Sequence, residues 1–152
     1  MSLATSRAAL VDTVEAVPSI GVVSDFEPAV TRDEDLQTYF YDSTLGYILG
    51  WSLTREATTC RDATNSSDFE DHLLVLRGYR AVDNKGASET AFQDLIELVR
   101  TAIRSEEADC WDGLVQFVGH PQVRIVEARV YGSVLCHYCE LTVLITEHVT
   151  VP

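Results

Sequence analysis

The stretch SETAFQDLIELVRTAIR, residues 88–104, decides the fold class. Phe92, Leu95, Ile96, Val99, Ala102 and Ile103 recur at the three- and four-residue spacing of a single stripe, which predicts an amphipathic helix over Glu89–Arg104. Ser88 stands where an N-cap belongs. Glu89 and Asp94 lie early and Arg100 and Arg104 late, as the helix dipole favours. A helix with one apolar stripe has to bury it, and the segments around it alternate with the two-residue period of strands.

On the upstream side, Gly46–Glu56 and His72–Tyr79 alternate in this way, with polar residues 58–68 between them reading as a loop. Downstream, Val115–Val118 reads as a short strand, and Gln122–Val130 and Val134–Val149 form a hairpin about the turn Tyr131-Gly132-Ser133. Nearer the start, Leu10, Val14 and Val17 mark a helix over Thr5–Val17 that Pro18 stops. A short strand follows over Ile20–Phe26, then a helical turn at Leu36–Phe40. A further turn is expected at 83–86. The sum is an α+β fold: a mixed, mostly antiparallel sheet of about four to six strands with two main helices packed on one face, as one domain over residues 1–152. Trp51 and Phe92 are expected in its core.

With 24 acidic against 11 basic residues the net charge is -13, and the basic residues are spread thinly among the acids. A phosphate backbone meets net repulsion, so tight nucleic-acid binding is disfavoured as the main activity. No apolar run approaches the ~20 residues of a membrane span, and the first residues lack the apolar run of a secretion signal. A cytosol-like compartment is therefore expected, with the four cysteines as reduced thiols.

The sharpest local motif is Cys136-His137-Tyr138-Cys139. On a strand, residues three apart point to opposite faces, so Cys136 and Cys139 share neither a metal nor a bridge. His137 and Cys139 fall on the same face as Leu135, Leu141, Val143 and Ile145, which makes His137 a satisfied polar residue of the core side. Cys110 with His120 is a formal nucleophile pair, but nothing in the sequence orients the base. His72 and His148 read as surface residues. The acids of 33–35, of Glu70-Asp71 and of Glu106-Glu107-Asp109 read as solvated charge. No phosphate-binding loop, nucleophile elbow or zinc-protease motif is present. The residues thus assign no catalytic, cofactor-binding or metal site, and an interaction or assembly subunit is the expectation, with a small ligand-binding or hydrolytic domain near Trp51 or Trp111 as the alternative from another class.

Three segments carry a resemblance: LRGYRAVD at 76–83, SETAFQDLIE at 88–97 and YGSVLCHYCEL at 131–141. In their order of strand, helix and terminal hairpin they resemble small virion proteins of long-tailed bacteriophages, and more narrowly the tail terminator group, over roughly the last two thirds of the chain. The resemblance implies a homo-oligomeric ring, usually a hexamer, in the virion. Such a ring is assembled in the host cytoplasm, caps the tail tube protein and meets a head-tail connector or neck protein. Genomic DNA would pass through it without specific binding, no membrane would be involved, and no cofactor or catalytic residue is implied. A different neck or head-completion connector, or a tube subunit, is the alternative within that class. A closed ring needs one patch to meet a different one, and the last strand or the segment 58–68 is the expected source.

Overall fold

The computed structural model describes residues 3–30, 32–83 and 86–150; Asn84 and Lys85, the middle of the turn expected at 83–86, lie outside them. One sheet runs through the molecule. Its strands are β1 (Val22–Ser24), β2 (Tyr41–Asp42), β3 (Tyr47–Thr64), β4 (Ser67–Ala81), β5 (Phe117–Val118), β6 (Gln122–Tyr131) and β7 (Val134–Thr150). The path is β1-β3-β4-β7-β5, with β2 also on β3 and β6 also on β7. Among the described residues only the β1–β3 pairing is parallel. The α+β class therefore holds; β5 falls within the short strand expected at Val115–Val118, whereas β2 is a two-residue pairing too short for alternation to reveal.

Helices α1 (Leu3–Glu15) and α3 (Ser88–Arg104) lie together on one face. The stripe of α3 and the Leu10 and Val14 side chains of α1 bury against Leu49, Trp51 and Leu53 of β3, Leu74 and Leu76 of β4, and Cys139, Leu141, Val143 and Ile145 of β7. Trp51 and Phe92 are both buried, as expected, and their rings stack at 6.0 Å. The indole lies flat because its cross-strand partner is Gly78: a Cβ there would come within 2.8 Å of both the indole and the Cys139 sulfur. Ser88 does not cap α3. Ala87 occupies that position, while the Ser88 hydroxyl turns inward to accept the Asp83 N–H at 3.1 Å and to meet His137 Nε2 at 2.9 Å.

The opposite face carries a smaller cluster under α2 (Asp33–Phe40), in which Phe40 stacks on Tyr79 at 4.9 Å beside Leu36, Ile48, Cys136 and Tyr138. Gly50 makes this possible, since any Cβ would strike the Phe40 ring. The loop expected at 58–68 is instead the far end of a hairpin. β3 continues to Thr64, Asn65-Ser66 turn, and β4 begins at Ser67. Its Thr-rich residues suit a pleated ribbon exposed on β3, and their polarity concealed it.

Between α3 and β5 the chain makes a single turn, α4 (Cys110–Gly113), with φ of 52, 53, 56 and 78° at its four residues, so it winds left-handed. Three of them carry a Cβ, and each bears roughly 1–2 kcal/mol of strain. The Trp111 indole N–H anchors the turn to Thr13 of α1 at 2.9 Å. Asp112 is exposed, and Asp112→Gly is expected to raise stability by about 0.5–1 kcal/mol, read as a small increase in the midpoint of thermal unfolding. A decrease would show that Asp112 makes contacts worth more than its strain.

Candidate functional site

The face that α2 leaves open is braced by charge. Glu140 of β7 accepts from the Tyr138 hydroxyl at 2.5 Å and from Arg124 of β6 at 2.7 and 3.1 Å, and pairs with Arg77 of β4 at 3.4 Å. The same Arg124 reaches Glu56 of β3 at 2.9 Å. Arg124 and Glu56 each sit at a register shift, between Val123 and Ile125 and between Arg55 and Ala57. A bulge re-aims its extra residue, and here the two turn toward one another over the intervening strands. Burial pushes the Glu140 carboxyl up, but the Tyr138 hydroxyl and the two guanidinium groups outweigh it and hold the group below its ordinary value.

Beside the brace lies a cleft of about 530 Å³, walled by 27–30 and by Arg77, Tyr79, Arg129, Tyr131 and Tyr138. The Arg129 guanidinium covers the Tyr138 ring at 3.8 Å, and Tyr79 meets Tyr131 and Tyr138 edge-on at 5.7 and 5.3 Å. Burial pushes the Tyr79 and Tyr138 phenols far above their ordinary value, and the Tyr138 hydroxyl donates to Glu140.

Both margins of the sheet are open. β6 pairs only with β7, and its far side meets no strand among the described residues. Val123, Val126 and Val130 stand exposed on its helix side, with Leu135 across from Val130. At the other margin, β1 and β2 pair with β3 only as far as Ser52, and beyond it the edge of β3 meets no strand among the described residues. One margin is valine-rich and the other threonine-rich, so they are unlike surfaces.

Cys136 and Cys139 fall on opposite faces, as expected: Cys136 joins the cluster under α2 and Cys139 the core under α3, whereas Cys60, expected in a loop, lies in β3 opposite Glu70. Burial pushes the Cys136 thiol up to about 11 and Cys139 higher still, which makes both poor nucleophiles. His137 is half-buried, satisfied by Ser88 and stacked on Phe92 at 6.1 Å. His120 does have an orienting group, contrary to expectation. Glu107 holds its Nδ1 at 2.7 Å, while the Glu107 carbonyl accepts from the Cys110 thiol at 3.8 Å; no hydrogen bond joins Cys110 to His120 among the described residues. Trp51 offers a ligand nothing, being wholly buried with its N–H on the Ile20 carbonyl at 3.1 Å.

The acidic clusters are only partly solvated. Burial, then the neighbouring Asp109 and Asp112, push the Glu106 carboxyl up. Asp71 is held below its ordinary value by the Arg61 guanidinium at 2.7 Å and the Thr146 hydroxyl at 2.6 Å. The largest correction concerns His72, which is 1% exposed rather than on the surface. It faces the helix side at the end of the core, because β4 runs past it to Ser67. Its Nδ1 meets the Thr58 hydroxyl at 2.9 Å, and its Nε2 lies 3.2 Å from Glu147 and 3.5 Å from Glu70. Glu147 is equally buried, and its other oxygen accepts from the Ser6 hydroxyl of α1. The signal for Glu147 was in the sequence: it continues the row Cys139, Leu141, Val143 and Ile145 by one more alternation.

No protein-family model matches this chain, and no curated protein matches it either.

Proposed function

We propose that the chain is a structural virion subunit that joins copies of itself, margin to margin, into a ring capping a phage tail tube and joining it to the head or neck. The observation that carries this reading is the pair of unlike open margins on one sheet. An exposed strand edge is a template for a further strand, and natural monomers blunt such edges with lysine, proline or a covering segment. β6 carries neither lysine nor proline, and its two arginines are paired within the chain, Arg124 with Glu140 and Arg129 with Glu127 and the Tyr138 ring. When β6 of one copy meets β3 of the next, the contact is head-to-tail, and such contacts close into rings. The resemblance to tail terminators gives the tube and the neck as the ring's neighbours. The charge of -13 suits a channel through which DNA slides without adhering.

Mass photometry of the purified chain, with and without tail tubes, tests this. The expected species has about six chain masses and sits at tube ends. Val126→Lys with Val130→Lys should leave the fold intact and return the ring to single chains, because each lysine desolvated at the joint costs on the order of 2 kcal/mol or more. Open-ended polymers would instead indicate a tube subunit. A stable monomer from the unaltered chain would end the ring proposal.

A further inference from the structure

The buried cluster at the far end of the helix face has a chemistry of its own. The ligand atoms of Glu70, His72 and Glu147 all lie within 4.8 Å of one another. His72 and Glu147 are each 1% exposed, whereas Glu70 is one-third exposed and leaves a way in from solvent. Both carboxylates aim an oxygen at the same imidazole nitrogen. Among the described residues neither carboxylate has an arginine or lysine partner: Arg61 is engaged by Asp71, and Arg55 reaches only the Thr58 hydroxyl, at 3.4 Å. A fully buried carboxylate beside a partly buried one, with no fixed cation, is costly, and a bound positive charge between them offsets that cost.

We infer that Glu70, His72 and Glu147 bind one divalent transition-metal ion of the zinc type. The donor set of one imidazole and two carboxylates suits zinc, since an imidazole ligand argues against magnesium or calcium. The spacing suits it too. Bonds of about 2.0–2.1 Å in a tetrahedron place ligand atoms roughly 3.3–3.4 Å apart, and Nε2 lies 3.2 and 3.5 Å from the two carboxylate oxygens. Each buried ligand already has the outer partner that metal ligands need. The Thr58 oxygen can accept the Nδ1–H of His72, which directs the Nε2 lone pair at the ion, and the Ser6 hydroxyl fixes one Glu147 oxygen while the other faces Nε2. Three protein ligands leave the fourth position to water on the Glu70 side. Through Ser6, the bound ion would tie the first turn of α1 to the sheet.

Isothermal titration of the chelator-treated full chain with zinc chloride, alongside magnesium chloride, decides the matter. One zinc per chain is expected, with a raised thermal midpoint and no response to magnesium. Ser6→Ala and Thr58→Val should each weaken zinc binding about 10–100-fold, and His72→Asn by at least as much. Glu70 is the most exposed ligand, so Glu70→Gln keeps the fold, as circular dichroism would verify, and should weaken zinc at least roughly tenfold even if the buried variants fail to fold. The inference is overturned if the unaltered chain takes up no zinc, or if zinc binds with the same affinity and stoichiometry in Glu70→Gln, which would assign it to the acidic surface. Neither outcome bears on the ring.

Discussion

Glu140→Ala is expected to lower the free energy of unfolding by about 3–5 kcal/mol, as measured by urea denaturation. The loss exceeds that of a surface ion pair because the carboxylate is 8% exposed and serves the Tyr138 hydroxyl, Arg124 and Arg77 together. Removing it leaves the Tyr138 phenol without its acceptor and takes from Arg77 and Arg124 their most buried partner, leaving them only the more exposed Glu27 and Glu56. Glu140→Gln keeps the shape and one oxygen, and should fall between the two. The pH dependence has a definite sign. The folded carboxyl titrates below its ordinary value of 4.5, so its contribution is complete above that pH and fades as pH falls through the lower folded value. Asp71 acts the same way from its own ordinary value of 3.8. Stability should therefore decline below about pH 4.5, less steeply in Glu140→Gln. A Glu140→Ala cost under about 1 kcal/mol would mean that the brace contributes no more than an exposed pair.

Trp51→Ala should cost about 3–5 kcal/mol, through the cavity it opens between α3 and the sheet. A second contribution comes from the Ile20 carbonyl, which loses the indole N–H and has little water to replace it. Trp51→Phe keeps most of the volume and should cost less. The reverse defect, Gly78→Val, places side-chain atoms where the indole and the Cys139 sulfur already lie, and tests the same contact from the other side. Equilibrium unfolding followed by circular dichroism measures all three. Trp51→Ala at under about 1 kcal/mol would contradict the packing described.

Much of the fold was legible because its signals are local. The stripe of α3 and the alternation of β7 are periodicities of one segment, and they placed Phe92, Cys139, Leu141, Val143 and Ile145 correctly. What misled was polarity. Residues 58–64 look like a loop because most of them face solvent, yet they are strand, paired with Ser67–His72. His72 looked superficial because it begins an apolar run, but its burial depends on Glu147, far away in sequence, and on Ser6 of a helix that packs above both. Leu135 shows the opposite failure. It shares the core face by alternation, yet α3 does not reach it and it is exposed. The brace of Glu56, Arg77, Arg124 and Glu140 was illegible for a related reason, since bulges are set by pairing across strands and leave no periodic trace.

The pairing of β4 with β7 runs without a break from Ser67 opposite Thr150 to Ala81 opposite Cys136, yet its two strands lie far apart in sequence. On either side of it, β3 with β4 and β6 with β7 are hairpins that close through turns of two residues. Hairpins form within about 1–10 μs, whereas distant pairings carry the entropy of a long closure. The chain thus acquires two ribbons early and fuses them late. Until they fuse, each ribbon bares an inner flank that is far more apolar than the margins left open in the finished molecule. The slowest and most aggregation-exposed moment in the life of this protein therefore comes at its centre and not at its outer margins.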